Sequence, residues 1–241
     1  MLKFFRRIRY RLINEDKTRK YFQYAIGEII LIIVGVLVAL SVAEWNSARK
    51  NQSYEIKVLS EISKDLDDSL GELERTISYT ETRIAQLVAL DSLLKNDNLE
   101  YDESLDPLFA AVWLFAKFDI ERAQYESLKS KGLDLIKSDK LRSDLITVYE
   151  EVYNSFESLN KTEDDINNIA FFDYHMKHFN SLNWGTSIKP NDFQRLKKDN
   201  YYKNLVYTRL ISLQFNQINS YRIARNNMIN LKSNIDEYIN K

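Results

Sequence analysis

Asp173, His175 and His178 lie together in the stretch FFDYHMKHF, and the two histidines are the only ones in the chain. Imidazoles at i and i+3 of a helix share one face, and with a neighbouring carboxylate they could ligate a divalent metal. A periplasmic metal-dependent hydrolase is the activity such a site would serve. The pattern fixes no further ligand, so these residues are weak metal candidates, and the plainer reading is a core or surface pair.

Glu28 is the second group able to do chemistry. It is the only charge between Ala25 and Ala43. Gly35 and Ala39 follow it by seven and eleven residues, which at ~100° per residue puts all three within about 20° of one line. Gly35, Ala39 and Ala43 repeat every four residues, the small-residue spacing that lets two helix backbones approach closely. Glu28, Gly35, Ala39 and Ala43 therefore form the expected interface of the membrane helix. In that interface the carboxylate would face protein rather than lipid, and it could couple a proton as part of an ion-driven or secretion-type complex. The milder alternative is a side chain that reaches the headgroups or pairs with Lys20.

Glu163, Asp164 and Asp165 read as a solvated helix face. No phosphate-binding glycine loop, nucleophile elbow or zinc-protease signature occurs. No catalytic residue and no cofactor are assigned, and the expectation is that the chain is not an enzyme.

The elements that must carry these residues follow from composition. The chain has 241 residues with five Gly, two Pro and no Cys. So few turn-formers predict few, long elements and an all-α fold. Lack of Cys removes disulfides and thiolate metal sites. Residues 1–43 hold eight Lys or Arg against three acids, and acids exceed bases in the remainder. That asymmetry suits a basic segment on an anionic leaflet joined to a mildly acidic soluble part, and it argues against nucleic acid as a partner.

Ala25 to Ala43 is close to the ~20 apolar residues that cross a bilayer. Tyr21, Phe22 and Tyr24 precede it and Trp45 follows, where amphipathic rings favour the two interfaces. Met1 to Ile13 gathers Phe4, Phe5, Ile8 and Leu12 on one helical face, with Arg6, Arg7, Arg9 and Arg11 available to lipid headgroups. The excess of Lys and Arg before the span predicts a cytoplasmic N-terminus and a periplasmic remainder at a bacterial inner membrane. Ser41-Val42-Ala43 resembles a signal cleavage site, but the basic tail and the apolar stretch are both too long for a signal peptide. The expected division is 1–23, a basic cytoplasmic segment; 24–45, a transmembrane helix; and 46–241, a helical bundle.

YAIGEIILIIVGVLVAL and the nearby EWN, after the basic start FFRRIR, are similar to the N-terminal hallmark of an uncharacterised family of small single-span bacterial membrane proteins, a domain of unknown function of the DUF6090 type. AQYESLKSKGLDLIKSDKLRSDL, Ala123 to Leu145, resembles the family's second characteristic stretch. The resemblance implies membrane anchorage and a helical soluble region, and no activity.

Within the soluble part, heptad rows predict a long helix over 56–94. One row is Ile56, Ser63, Leu70, Ile77, Ile84 and Asp91, and the other is Leu59, Leu66, Leu73, Thr80, Leu87 and Leu94. Asp106-Pro107 predicts a helix start, and Leu108 to Phe118 the most buried helix of the core. Helices are expected from Glu121 to Lys131, ended by Gly132, and from Ser138 or Asp139 toward Phe179 with a break near Lys161. Asn180 to Asp192 reads as a loop. A last stripe runs through Tyr207, Leu210, Gln214, Gln217, Tyr221, Ala224, Met228, Leu231, Ile235 and Tyr238. The aromatic residues look scattered, with no cluster that marks a pocket. The expected whole is one transmembrane helix continuing into an antiparallel bundle of long helices. Its role would be that of an interaction, scaffold or sensor-like protein, working as a homo-oligomer or with a protein partner through the transmembrane interface and the helical stripe.

Overall fold

The computed structural model describes residues 18–183 and 186–240, without the side chains of 18–21, 24, 181 and 182. Arg6, Arg7, Arg9, Arg11 and the amphipathic segment 1–13 lie outside the described residues. The fold is all-α, a long apolar-ended helix followed by further helices, with one short hairpin. Two compact units divide the chain, Met1–Glu55 and Ile56–Lys241. Helix α1, Thr18–Leu94, is a single element of 77 residues that contributes to both.

In the first unit the apolar side chains from Ile29 to Val42 are all exposed. This is one helix long and apolar enough to cross a membrane. Between Ile29 and Val42 the one hydroxyl is satisfied within the helix, since Ser41 Oγ donates to the Leu37 carbonyl at 2.9 Å, the i−4 bond open to a helical serine. Arg49 sits over the Trp45 ring, 5.9 Å from its centroid.

In the second unit the expected row Leu59, Leu66, Leu73, Thr80, Leu87 and Leu94 is buried throughout. Its companion row is spread over two adjacent positions. Ser63 and Ile77 of the expected row are buried, but Ile56 is exposed and Leu70, Ile84 and Asp91 are half-buried; one residue earlier, Ile62, Ser69, Thr76 and Leu90 are buried. The 3,4 spacing from Leu59 to Ile62 to Leu66 was masked because this row carries Ser69 and Thr76. Two hydroxyls of the striped face are hydrogen-bonded: Ser69 Oγ accepts from the Glu121 amide at 3.4 Å, and Thr80 Oγ1, in the first row, donates to the Thr76 carbonyl at 2.8 Å.

Helix α2, Asp106–Trp113, has Pro107 in its first turn and buries Phe109 to Val112 completely. It stops at Trp113, five residues short of the expected end, and the chain runs irregularly to Arg122 with Phe118 and Ile120 still buried. Helix α3, Ala123–Lys131, ends at Gly132, whose φ of +106° is open to glycine and strained for an L side chain. Helix α4, Asp139–Ile146, is capped by Ser138, whose Oγ accepts from the Leu141 amide at 3.3 Å.

The expected break near Lys161 is absent. A π turn, Thr147–Val152, leads into α5, Tyr153–Ile166, and a second, Asn167–Phe171, into α6, Phe172–His178. The segment taken for a loop instead forms a hairpin, β1 Phe179–Asn183 with β2 Ser187–Pro190, in which Phe179 faces Pro190. Alternate residues Ile188 and Pro190 turn inward onto α2, which gives this otherwise polar stretch its reason to extend. Helix α7 is Phe193–Lys198 and α8 is Asn200–Ile211. A third π turn, Ser212–Gln217, joins α8 to α9, Ile218–Ile239.

That π turn corrects the last stripe. Tyr207 and Gln214 are exposed, and the buried row steps by four from Leu205 through Arg209, Leu213 and Gln217 to Tyr221 before the 3,4 spacing resumes. A π turn takes an extra residue, so the apolar face shifts across it. Helix α9 then lies antiparallel to α1. Ser63 Oγ donates to Asp236 at 2.6 Å, Lys232 pairs with Asp67 at 3.4 Å, Arg225 pairs with Glu74, and Arg222 pairs with Glu81 at 3.0 Å.

Candidate functional site

Arg209 projects from α8 into the centre of the second unit, where its side chain is wholly buried. Its Nε donates to the Val112 carbonyl at 3.0 Å, one terminal nitrogen to Glu163 and the other to Asn167. Glu163, also wholly buried, accepts in addition from Ser212 Oγ. Asn167 passes the network on by donating to the Trp113 carbonyl at 3.3 Å. Two of the polar partners belong to π turns: Asn167 opens one and Ser212 the other. The guanidinium also lies between rings, 4.7 Å from the Phe171 centroid and 5.3 Å from that of Phe115.

This network explains why α2 stops. The carbonyls of Val112, Trp113 and Ala116 accept from Arg209, Asn167 and Tyr221, the last at 2.9 Å. Side chains from distant helices thus replace the backbone donors a longer helix would have used. Burial holds Arg209 below its ordinary value and Glu163 pushes it back. The pair remains an ion pair, and because each of its groups is engaged it serves to fix register between helices rather than to meet a ligand.

Next to it stands an aromatic cluster, so the aromatic residues are not scattered. Phe109 contacts Phe179, Phe193 and Tyr202 at centroid distances of 5.9, 6.2 and 6.5 Å. His175 is part of the wall. It is 1% exposed, stacks on Phe179 at 4.9 Å and meets the edge of Trp113 at 5.3 Å. Its Nδ1 donates to the Phe171 carbonyl at 2.8 Å, while Nε2 has no hydrogen-bond partner among the described residues. Burial is the main reason its pKa falls from 6.5 to about 4, with the Phe171 carbonyl opposing the shift and Arg209 adding to it.

The three metal candidates do not converge. Asp173 is exposed and pairs with Lys177 at 2.6 Å, and His178 is half-buried and stacked on Tyr174 at 4.2 Å. Among the described residues no three His, Cys, Asp or Glu side chains are grouped to hold a metal. Tyr174 in turn donates to Asp199 at 2.6 Å, and Asp199 caps α8 through the Tyr201 amide at 2.8 Å. Of the residues expected to form a helix interface, Gly35, Ala39 and Ala43 are exposed and Glu28 is half-buried.

Glu163 contradicts the expectation of a solvated acidic face. Of Glu163, Asp164 and Asp165 only the first turns inward, because Arg209 and Ser212 await it. The signal that points to this is Arg209 itself, set in LVYTRLI between Val206 and Leu210 on an apolar face. Lys197 was missed for the same reason. It is buried, and its Nζ donates to the carbonyls of Asp97 at 2.5 Å and Leu99 at 3.0 Å, in the chain that leaves α1.

No curated protein and no solved structure matches the chain. The model of a family of unknown function, DUF6090, matches residues 28–193, well over half of the chain, and the chain belongs to that family.

Proposed function

We propose that this protein is a single-pass membrane protein, its N-terminus cytoplasmic and its helical domain outside the inner membrane, which acts by binding: a scaffold, sensor or accessory subunit that engages a second copy or another membrane protein through the spanning helix. The observation that carries the reading is a contrast within α1. From Leu59 to Leu94 its heptad row is covered by its own chain, whereas the apolar side chains from Ile29 to Val42 are all exposed. That row is thus buried within the domain, whereas the stretch from Ile29 to Val42 is left for lipid or a partner. A closed buried network and the absence of a convergent set of reactive groups among the described residues favour binding over catalysis.

Cross-linking in intact cells followed by recovery from membranes tests this, comparing wild type with Glu28→Gln and Gly35→Leu. A Cβ at Gly35 meets nothing within 4 Å in this chain, so Leu there disturbs only what lies outside it. The expected result is a defined adduct that Gly35→Leu weakens. Recovery of uncross-linked monomer alone would refute the proposal. Loss of the adduct in Glu28→Gln, at unchanged expression, would select the narrower form in which the carboxylate specifies a partner in an ion-driven or secretion-type complex.

A further inference from the structure

The β1–β2 hairpin packs on α2 through Ile188, Pro190 and Phe179, and at Phe179 it also stacks on an imidazole. His175 stands three residues before the end of α6, and the chain turns directly from that end into β1. Its ring occupies a slot walled by Trp113 of α2, Phe171 of the π turn and Phe179 at the start of β1. The slot suits a neutral ring. Nδ1–H has an acceptor and Nε2 has nothing to donate to.

The charged and titratable groups around the ring offer a proton no counter-charge. Trp113 is the contact from α2 and Phe179 the contact from the hairpin. From α8 come Arg209, a cation over the Phe171 ring, and Tyr202, which packs against Phe179 with its hydroxyl unpartnered among the described residues. Every nearby carboxylate is engaged: Glu163 by Arg209 and Ser212, Asp199 by Tyr174, and Asp173 by Lys177. His178, on the same helix, stacks on Tyr174.

We propose that His175 is a proton-operated latch. Uptake of a proton at Nε2 drives the ring from its slot between Trp113 and Phe179 and releases the hairpin from α2, while α1 and α9 stay paired. The latch concerns the second unit alone and does not rest on the membrane or partner reading. Its use as a sensor of external acidity does rest on the domain lying outside the cytoplasm. A released imidazole takes up its proton as pH falls below 6.5 and a latched one only near 4. Acid therefore favours release, by roughly 30-fold at pH 5 relative to pH 8.

Hydrogen exchange of the full chain in lipid nanodiscs tests this, at pH 8 and pH 5 and normalised for intrinsic exchange. The expected result is a roughly 30-fold loss of protection in residues 179–190 at pH 5, with α1 from Leu59 to Leu94 and α9 unchanged. His175→Phe should abolish the pH dependence, and His178→Gln should keep it. Equal hairpin protection at both pH values in wild type would overturn the proposal, as would the same acid loss in His175→Phe. If His175→Phe does not fold, His178→Gln leaves one imidazole to follow by NMR. A ring that titrates below pH 5 together with hairpin release supports the latch, and one that titrates near 6.5 with no change in exchange overturns it.

Discussion

Arg209 and Glu163, forty-six residues apart in sequence, form an ion pair in which both side chains are inaccessible to solvent. Removing one partner leaves a buried charge without compensation, which costs about 3 to 5 kcal/mol. Arg209→Met and Glu163→Gln are each expected to lower urea stability by an amount of that order. The double change Arg209→Met with Glu163→Leu should cost much less than the two single losses together. Additive losses would show that the two residues act separately.

Two glycines should respond in opposite directions to alanine. Gly132 has φ +106°, where a Cβ is strained whatever the surrounding space, so Gly132→Ala is expected to cost about 1 to 3 kcal/mol. Gly71 lies within α1, and a Cβ there would meet Arg75 only at an ordinary 3.8 Å. Gly71→Ala should stabilise by up to about 1 kcal/mol through helix propensity. Thermal or urea midpoints of the two variants decide it, and a stabilised Gly132→Ala would contradict the observed turn.

Tyr174 and Asp199 give a second, separate pH effect. The tyrosine hydroxyl is the main cause that holds the Asp199 carboxyl below its usual range, with burial opposing. A carboxyl depressed in the folded state adds stability that is present above its unfolded pKa and is lost as pH falls through its folded one. Tyr174→Phe should therefore cost about 1 kcal/mol at pH 7. The gap to wild type should narrow as pH falls below the ordinary carboxylate range and close once it has passed the depressed value of the folded state, as followed by urea midpoints from pH 7 down to about pH 2. A gap that does not depend on pH would assign the loss to packing alone.

The exposed apolar stretch of α1 predicts resistance to alkaline extraction. Wild type and Glu28→Gln should both remain with the membrane pellet after carbonate treatment. The double change Val36→Arg with Leu37→Arg adds about 2.5 to 3.5 kcal/mol per arginine to insertion and should shift the chain to the supernatant. Retention of the double variant would argue that something other than this helix holds the protein to the membrane.

Much of the fold was legible because its signals are local. Five Gly and two Pro in 241 residues announced long helices, Gly132 and Ser138 marked a stop and a start, and the row from Leu59 to Leu94 stood out by its period. The widening of the companion row, the early end of α2, the π turns and the inward turn of Glu163 were not legible, because each depends on a partner elsewhere. Val112 receives Arg209 from 97 residues away and Ala116 receives Tyr221 from 105. The hairpin was hidden in another way, since its polar composition reads as a loop until α2 provides the surface on which it extends. At the candidate site, Asp173, His175 and His178 were noticed for metal chemistry. The environment that makes His175 distinctive is aromatic, and it is assembled from α2, the π turn and β1.

The pairing of α1 with α9 sets a timetable for synthesis. Ser63 meets Asp236 across 173 residues of intervening chain. At ~5 to 20 residues per second the striped face of α1 waits on the order of ten seconds or more for its covering helix. Long-range closure of this kind is slow for a helical protein. The nascent domain therefore presents the part of the row from Leu59 to Thr80 until α9 is made, and a chain truncated within α9 should be captured by chaperones or proteases rather than accumulate.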